Sequence, residues 1–349
     1  MELGRVHGSE GGVYRVLLDS GLEAEASLRG RLKRQVRTGD KVVIGDQVQV
    51  LRDSDGSITI EAVLPRRTQV VRRGPGGRRP KVVAANLDRL VVVVSVARPT
   101  VRQALIDRLL VVGESNGLEV LLVFNKVDIL GSGSADAEKE GESGSGDPGG
   151  AESTKGSACT EDLSSATLAA LVSLYGGLGY EVLETSATSK QGLSRLKEVL
   201  CQGTSALVGP SGVGKSSLLN TVQPGLGLRI GDLSEKKGIG RHTTVSGRLI
   251  PLECGGLVAD TPGFSEVGLW GVEPRDLEMC FPEFLPLREG CRFRGCTHLH
   301  EPGCQVREAL SEELVDRSRF ESYRVLFEEA ETARRSRAQE SGNSRDGVT

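Results

Sequence analysis

Aromatic side chains account for only 3% of this 349-residue chain, and Trp occurs once. In the first 64 residues Tyr14 is the one aromatic, so base stacking cannot carry an affinity for nucleic acid there. Long apolar runs are missing too: no stretch approaches the roughly 20 residues of a membrane span. Met1-Glu2-Leu3-Gly4 has neither the apolar core of a signal peptide nor the Arg/Ser-rich character of a transit peptide. A targeting segment is therefore expected to be absent or already removed. The seven cysteines do not form a disulfide framework: three fall within fourteen residues beside a histidine, while Cys159, Cys201, Cys254 and Cys280 are scattered. That distribution predicts a metal site in a reducing compartment and no disulfides.

Net charge is also small, at -3, but it hides an asymmetry. Between Pro65 and Lys81 lie seven basic residues (Arg66, Arg67, Arg72, Arg73, Arg78, Arg79 and Lys81) and no acidic one. A polyanion could bind there to a globally acidic chain, with a solvated linker as the plainer alternative.

The length allows two or three domains. Residues 1–68 read as short alternating strands punctuated by glycine: Val13-Tyr14-Arg15-Val16-Leu17-Leu18, Val42-Val43-Ile44, Val48-Gln49-Val50-Leu51 and Ile58-Thr59-Ile60. Such spacing predicts a small β-barrel of the oligonucleotide-binding (OB) kind. Its nucleic-acid contacts would be charged, through Arg29, Arg31, Lys33, Arg34 and Arg37. A basic linker spans 69–85. From Leu90 the texture changes to βα alternation, in which Leu90 to Val96 is a continuous apolar run suited to a strand buried on both faces of a parallel sheet. This α/β domain occupies 86–268. It is interrupted at 131–162 by a Gly/Ser-rich insertion with no apolar periodicity, expected to be disordered. A mostly helical module follows at 269–332, with helical patterning from Val306 to Ala330, then a polar tail at 333–349 expected to be disordered.

The nucleotide motifs come in an unusual order. Gly209-Pro210-Ser211-Gly212-Val213-Gly214-Lys215-Ser216 fits the phosphate loop GxxxxGK(S/T), between the strand Ala206-Leu207-Val208 and a helix beginning near Ser217. Its N–H groups would surround a phosphate at the helix N-terminus, Lys215 would bridge phosphates and Ser216 would ligate Mg²⁺. Asn125, Lys126 and Asp128 lie upstream of it, after the strand Val120 to Phe124. Asp128 can accept from both the ring N–H and the amino group of guanine, a pair that adenine does not offer. Ser186 and Ala187 add a backbone contact to the guanine carbonyl. Asp260-Thr261-Pro262-Gly263 would supply an acid that reaches Mg²⁺ through water and a glycine, Gly263, that senses the γ-phosphate. Base reading thus precedes phosphate reading, a circular permutation of the usual order that is cheap where termini lie close together.

Between these motifs lies Gly240-Arg241-His242-Thr243-Thr244, in the place of the first switch, and Thr243 or Thr244 would complete the Mg²⁺ shell. The position where some GTPases carry a water-orienting glutamine is Phe264. His242 is the polar candidate for that task, with packing or a partner contact as the alternative. Slow intrinsic hydrolysis is expected either way. In the last module Cys291, Cys296 and Cys304 with His298 form C-x4-C-x-H-x5-C, the donor set of a closed structural Zn²⁺ site, with His300 a competing ligand.

The permuted order, the preceding barrel and the following Cys/His module together resemble the ribosome small-subunit-dependent GTPase A family, from Gly4 to about Ala330. The most specific pieces are Gly209 to Ser217, Gly240 to Thr244, Asp260 to Phe264 and the cysteine/histidine pattern. The resemblance implies an α/β fold: a circularly permuted P-loop GTPase domain with an N-terminal OB-fold barrel and a C-terminal, mostly helical zinc domain. It implies one structural Zn²⁺, Mg²⁺ bound with GTP or GDP, His242 as catalytic residue, and His298 in preference to His300 as ligand. It also implies GTP hydrolysis stimulated by the small ribosomal subunit, bound through its rRNA late in maturation. A monomer without a membrane partner is expected. The insertion departs from a compact bacterial member, so the cytoplasm is expected with the plastid stroma as alternative.

Overall fold

The computed structural model describes residues 1–32, 42–72, 81–99, 102–131, 163–228, 247–260 and 272–343. The first five strands are β1 (Glu2–Glu10), β2 (Val13–Leu18), β3 (Glu23–Leu28), β4 (Gln47–Arg52) and β5 (Ile58–Val63). They pair in the order β1-β2-β3-β5-β4, and β4 returns to β1, closing the barrel. Alternation puts Val6, Val16, Leu18, Val48, Val50 and Ile60 in the core. The absence of a side chain at Gly4 matters, since a Cβ there would lie 2.6 Å from Val16. Val42-Val43-Ile44, expected as a strand, is instead a buried connection with a single bridge from Ile44 to Ala84. The Asp46 carboxylate accepts from the Val43 N–H at 2.8 Å, and the Ile44 carbonyl accepts from the Ala85 N–H at 2.9 Å.

The segment expected to be a linker contains an antiparallel hairpin, β6 (Gln69–Arg72) with β7 (Lys81–Ala85). Its basic residues are not equivalent. Arg66 forms a two-pronged ion pair with Asp46, at 2.7 and 2.9 Å, and the Asp46 side chain is wholly buried. Arg67 pairs with Asp88. In the barrel, Arg29 and Arg31 both meet the buried Glu61. Four arginines read as free contacts for nucleic acid are therefore committed to carboxylates. Lys33, Arg34, Arg37, Arg73, Arg78 and Arg79 lie outside the described residues.

Next come β8 (Arg89–Ser95), β9 (Glu119–Asn125), β10 (Glu181–Thr185), β11 (Thr204–Val208), β12 (Arg248–Pro251) and β13 (Leu257–Asp260). Their order in the sheet is β10-β9-β8-β11-β13-β12, parallel throughout except for the β12 edge. Among the described residues four helices accompany them: α1 (Gln103–Ser115), α2 (Ser165–Gly177), α3 (Leu193–Leu200) and α4 (Lys215–Val222). Leu90, Val92 and Val94 face one core layer, with α1, and Val91 and Val93 face the other, with α3 and α4. That two-sided burial explains the unbroken apolar run. The barrel joins this sheet through a bridge between Gly8 and Arg248.

One expectation is overturned: Cys201 and Cys254 are disulfide-bonded. The turn after β12 packs directly on the end of α3, where a Cβ on Gly256 would lie 2.0 Å from the Leu200 carbonyl oxygen. This contact sets the two Cα atoms 5.4 Å apart across 53 residues of sequence. No sequence spacing announces such a contact.

The last module opens with short 3-10 helices at Pro274–Cys280 and Pro282–Phe284, followed by α5 (Leu285–Arg288), α6 (Gln305–Ser311) and α7 (Arg317–Asn343). Residues 312–316 divide the helical pattern expected to run on from Val306. Helix α7 reaches Asn343, well into the tail expected to lack structure. Ion pairs from Glu331 to Arg334 and Arg335, and from Arg337 to Glu273, support that extension. An aromatic core of Phe281, Phe284 and Tyr323 packs onto Val111 of α1. Arg319, wholly buried, ties α7 to α1 through Asp107 at 2.8 Å and to Glu283 at 2.7 Å. Burial opposes its charge, but the two carboxylates outweigh burial and raise its pKa. Among the described residues no helix is long and apolar enough to cross a membrane.

Candidate nucleotide and metal sites

Parallel strands β9, β10, β11 and β13 end, respectively, at Asn125, at Thr185, just before the phosphate loop, and at Asp260. The separated motifs thus converge on one edge of the sheet, the carboxyl edge where open α/β folds bind ligands. Thr185 lies opposite Asn125 in the β9/β10 ladder, and its hydroxyl donates to the Asn125 side-chain oxygen at 3.2 Å. The Asn125 amide donates to the carbonyl of Val213 in the phosphate loop at 2.8 Å. Asn125 is only 1% exposed, so this residue of the base motif is also a brace between the two halves of the site.

The loop glycines follow from these contacts. A Cβ on Gly214, whose φ is +99°, would lie 2.3 Å from the Asn125 amide nitrogen. A Cβ on Gly209 would lie 1.9 Å from the Val93 carbonyl oxygen. Gly212 also has positive φ, at +82°. Pro210, Ser211 and Val213 complete the turn, and Val213 packs into the core. Lys215 and Ser216 open α4, with Ser217 next, so their N–H groups have no partners within the helix. The Lys215 ammonium is held over the loop by the carbonyls of Gly209 at 2.7 Å and Pro210 at 2.9 Å. Burial lowers its pKa to about 8. A phosphate seated in the loop would provide the compensating negative charge.

Lys126, at φ +67°, reaches the carbonyl of Arg98 at 2.6 Å. Asp128 is half-buried in a 3-10 turn, Val127–Gly131, just beyond β9. Ser186 is wholly buried, and Ala187 packs beside it against the core. The Ser186 hydroxyl accepts from the Ser189 N–H at 3.0 Å. Asp260 is nearly buried and accepts from Arg248 at 3.2 Å. His242, Thr243, Thr244 and Gly263 lie outside the described residues.

In the last module the ligand atoms of Cys291, Cys296, His298 and Cys304 all lie within 4.8 Å of one another. His298 Nδ1 is 3.3 Å from the Cys304 sulfur and 3.6 Å from that of Cys291, and the two sulfurs are 4.0 Å apart. A tetrahedron with zinc–sulfur and zinc–nitrogen bonds has edges of about 3.5–3.8 Å, so the set fits such an ion. His300 is exposed and outside the cluster. Sequence reasoning missed Glu278, whose carboxylate meets His298 Nε2 at 2.7 Å. That contact turns Nδ1 toward the sulfurs, the arrangement of a carboxylate–histidine–metal relay. Glu278 is itself held by Arg288 at 2.9 Å. A glutamate thirteen residues before the first cysteine carries no spacing signal.

A closed OB-like barrel followed by a P-loop sheet whose base-reading strands come first defines a circularly permuted GTPase. The profile of the RsgA GTPase family matches residues 63–146 and 153–270, and this chain belongs to that family. It is 41% identical, over 91% of its length and 94% of the relative's, to "Small ribosomal subunit biogenesis GTPase RsgA" of Gemmatimonas aurantiaca. It is 34% identical to the protein of the same name from Caldanaerobacter subterraneus, over 93% of its length and 95% of the relative's. Among solved structures, YjeQ from Thermotoga maritima matches with a TM-score of 0.71 and 31% identity, over 94% of this chain and 98% of that one. YloQ, described as a circularly permuted GTPase, matches with a TM-score of 0.67 and 27% identity, over 95% of each chain. The chain is a GTP-hydrolysing enzyme of ribosome biogenesis.

Proposed function

We propose that this enzyme binds the small ribosomal subunit through its rRNA, late in maturation, and hydrolyses GTP faster when bound. The observation that carries the reading is the convergence of Asn125, the phosphate loop and Asp260 on one sheet edge, flanked by a barrel and a Cys/His module. Guanine is read by Asp128, with Asn125, Lys126, Ser186 and Ala187 shaping its pocket. The triphosphate lies along Gly209 to Ser217, with Gly263 at its γ end. Mg²⁺ is held by Ser216, by Thr243 or Thr244, and by Asp260 through water, and when bound it neutralises charge on the phosphates. His242 orients the attacking water. Zn²⁺ in the cysteine cluster stabilises the last module. The enzyme acts in the cytoplasm as a monomer. Co-sedimentation with purified small subunits tests the partner. Retention with a non-hydrolysable GTP analogue and release with GDP are expected, whereas equal retention in both states, or none in either, contradicts the reading.

A further inference from the structure

The aromatic rings of the last module are mostly hidden: Phe281 and Phe284 are fully buried and Tyr323 is 1% exposed. Phe293, between the cluster cysteines Cys291 and Cys296, is 45% exposed, the one exposed large aromatic among the described residues. It is flanked by Arg292 and Arg294, both exposed. Nearby Arg288 and Arg319 are committed to Glu278 and Glu283. No ion pair engages Arg292 or Arg294 among the described residues. The Arg292 guanidinium lies over one face of the Phe293 ring, 5.6 Å from its centroid, which leaves the opposite face for a ligand.

The loop is also fixed. The Arg292 N–H donates to the Gly303 carbonyl at 3.0 Å, and the Arg292 stem packs against Gly303, where a Cβ would lie 3.1 Å away. Gly295, at φ +71°, turns the chain back to Cys296. An apolar ring presented to solvent on a rigid loop loses little entropy when it is covered. Its neighbours narrow the cover. A protein interface of standard size buries about 800 Å² per partner around an apolar centre, and between Cys291 and Cys304 Phe293 is the only exposed large apolar side chain among the described residues. A nucleotide within a single strand carries both complements, a base with a flat π-face for the ring and backbone phosphates on either side for the guanidiniums.

We propose that Phe293 is a stacking platform for an unpaired RNA base, with Arg292 and Arg294 contacting the adjoining phosphates. A base inside a duplex has no free face, so the target is a loop, bulge or end. The proposal rests on the reading of this enzyme as rRNA-bound, and it supplies the stacking contact that the barrel lacks.

The full-length, zinc-loaded protein tests it with unstructured oligoadenylate as probe, each variant first checked for wild-type zinc content. In Phe293→Trp, oligoadenylate should quench indole fluorescence beyond any change that wild type shows through Trp270. Phe293→Ala should weaken binding about 5- to 100-fold, Phe293→Leu nearly as much, and Phe293→Tyr little. Arg292→Gln and Arg294→Gln should each flatten the salt dependence by a slope of about 0.7. Equal affinity of wild type and Phe293→Ala, without quenching in Phe293→Trp, overturns the platform. So does Phe293→Leu binding as well as Phe293→Tyr, which would mean apolar contact without stacking. Loss of oligoadenylate binding with subunit binding retained in wild type overturns the platform alone. Loss of both overturns the rRNA reading with it.

Discussion

Asn125 shows how one residue can belong to two motifs. Its amide spans from Thr185 to the Val213 carbonyl, and Gly214 has no side chain because that amide occupies the space. The sequence made the individual motifs readable, because each must supply a fixed chemical group at a fixed spacing. It did not show the brace, since the contact joins residues 88 apart. Asp128 is different: it stands half-buried at the site's rim, where its role is set by the ligand. Asp128→Asn should shift preference from GTP toward xanthosine triphosphate, because a donor replaces an acceptor facing the base. Each lost contact is worth about 1–3 kcal/mol. Competition binding of the two nucleotides checks it, and an unchanged preference would remove Asp128 from base recognition.

Among the elements, the Cys/His loop and the β6/β7 hairpin separate what sequence reveals from what it hides. Three cysteines and a histidine in fourteen residues announce a metal cluster, but the 3-10 helix that brings Glu278 against His298 is a tertiary contact. Glu278→Gln should weaken zinc affinity about 10- to 100-fold while leaving GTP affinity unchanged, as a chelator competition would show. Wild-type zinc affinity in that variant would mean that the carboxylate does not orient the ligand. A basic run reads as one patch, yet Arg66 holds the wholly buried Asp46. Arg66→Gln should destabilise the protein by about 3–5 kcal/mol, since it strands a buried charge. Replacing Arg72, Arg73, Arg78 and Arg79 by Gln should instead leave stability near wild type and flatten the salt dependence of small-subunit binding. Thermal melts and binding at several salt concentrations distinguish the two. Identical salt slopes for wild type and the hairpin variant would make the hairpin a solvated connection. The disulfide between Cys201 and Cys254 was not legible, because a packed turn and not a local pattern brings its partners together.

At the scale of the whole molecule, three modules meet around one sheet. The barrel touches the β12 edge, where Arg248 bridges to Gly8 and pairs with Asp260. The Cys/His module grips α1 through Asp107 and Val111. The architecture could be read from the sequence because burial imposes strand and helix periods that survive permutation. The docking could not, because Arg319 and Asp107 look like surface charges until α7 packs on α1 and buries both. The barrel contact ends on Arg248, the partner of Asp260, and we propose that the small subunit speeds hydrolysis through the flanking modules. The most direct test is single-turnover GTP hydrolysis at saturating nucleotide, with and without saturating small subunits, for wild type and His242→Ala. Slow hydrolysis by wild type alone should accelerate ~10²-fold or more with the subunit, and His242→Ala should lose ~10²-fold of the stimulated rate while binding GTP within about a factor of three. A wild-type rate indifferent to the subunit would contradict the account, and a fully stimulated His242→Ala would place the water-orienting group elsewhere.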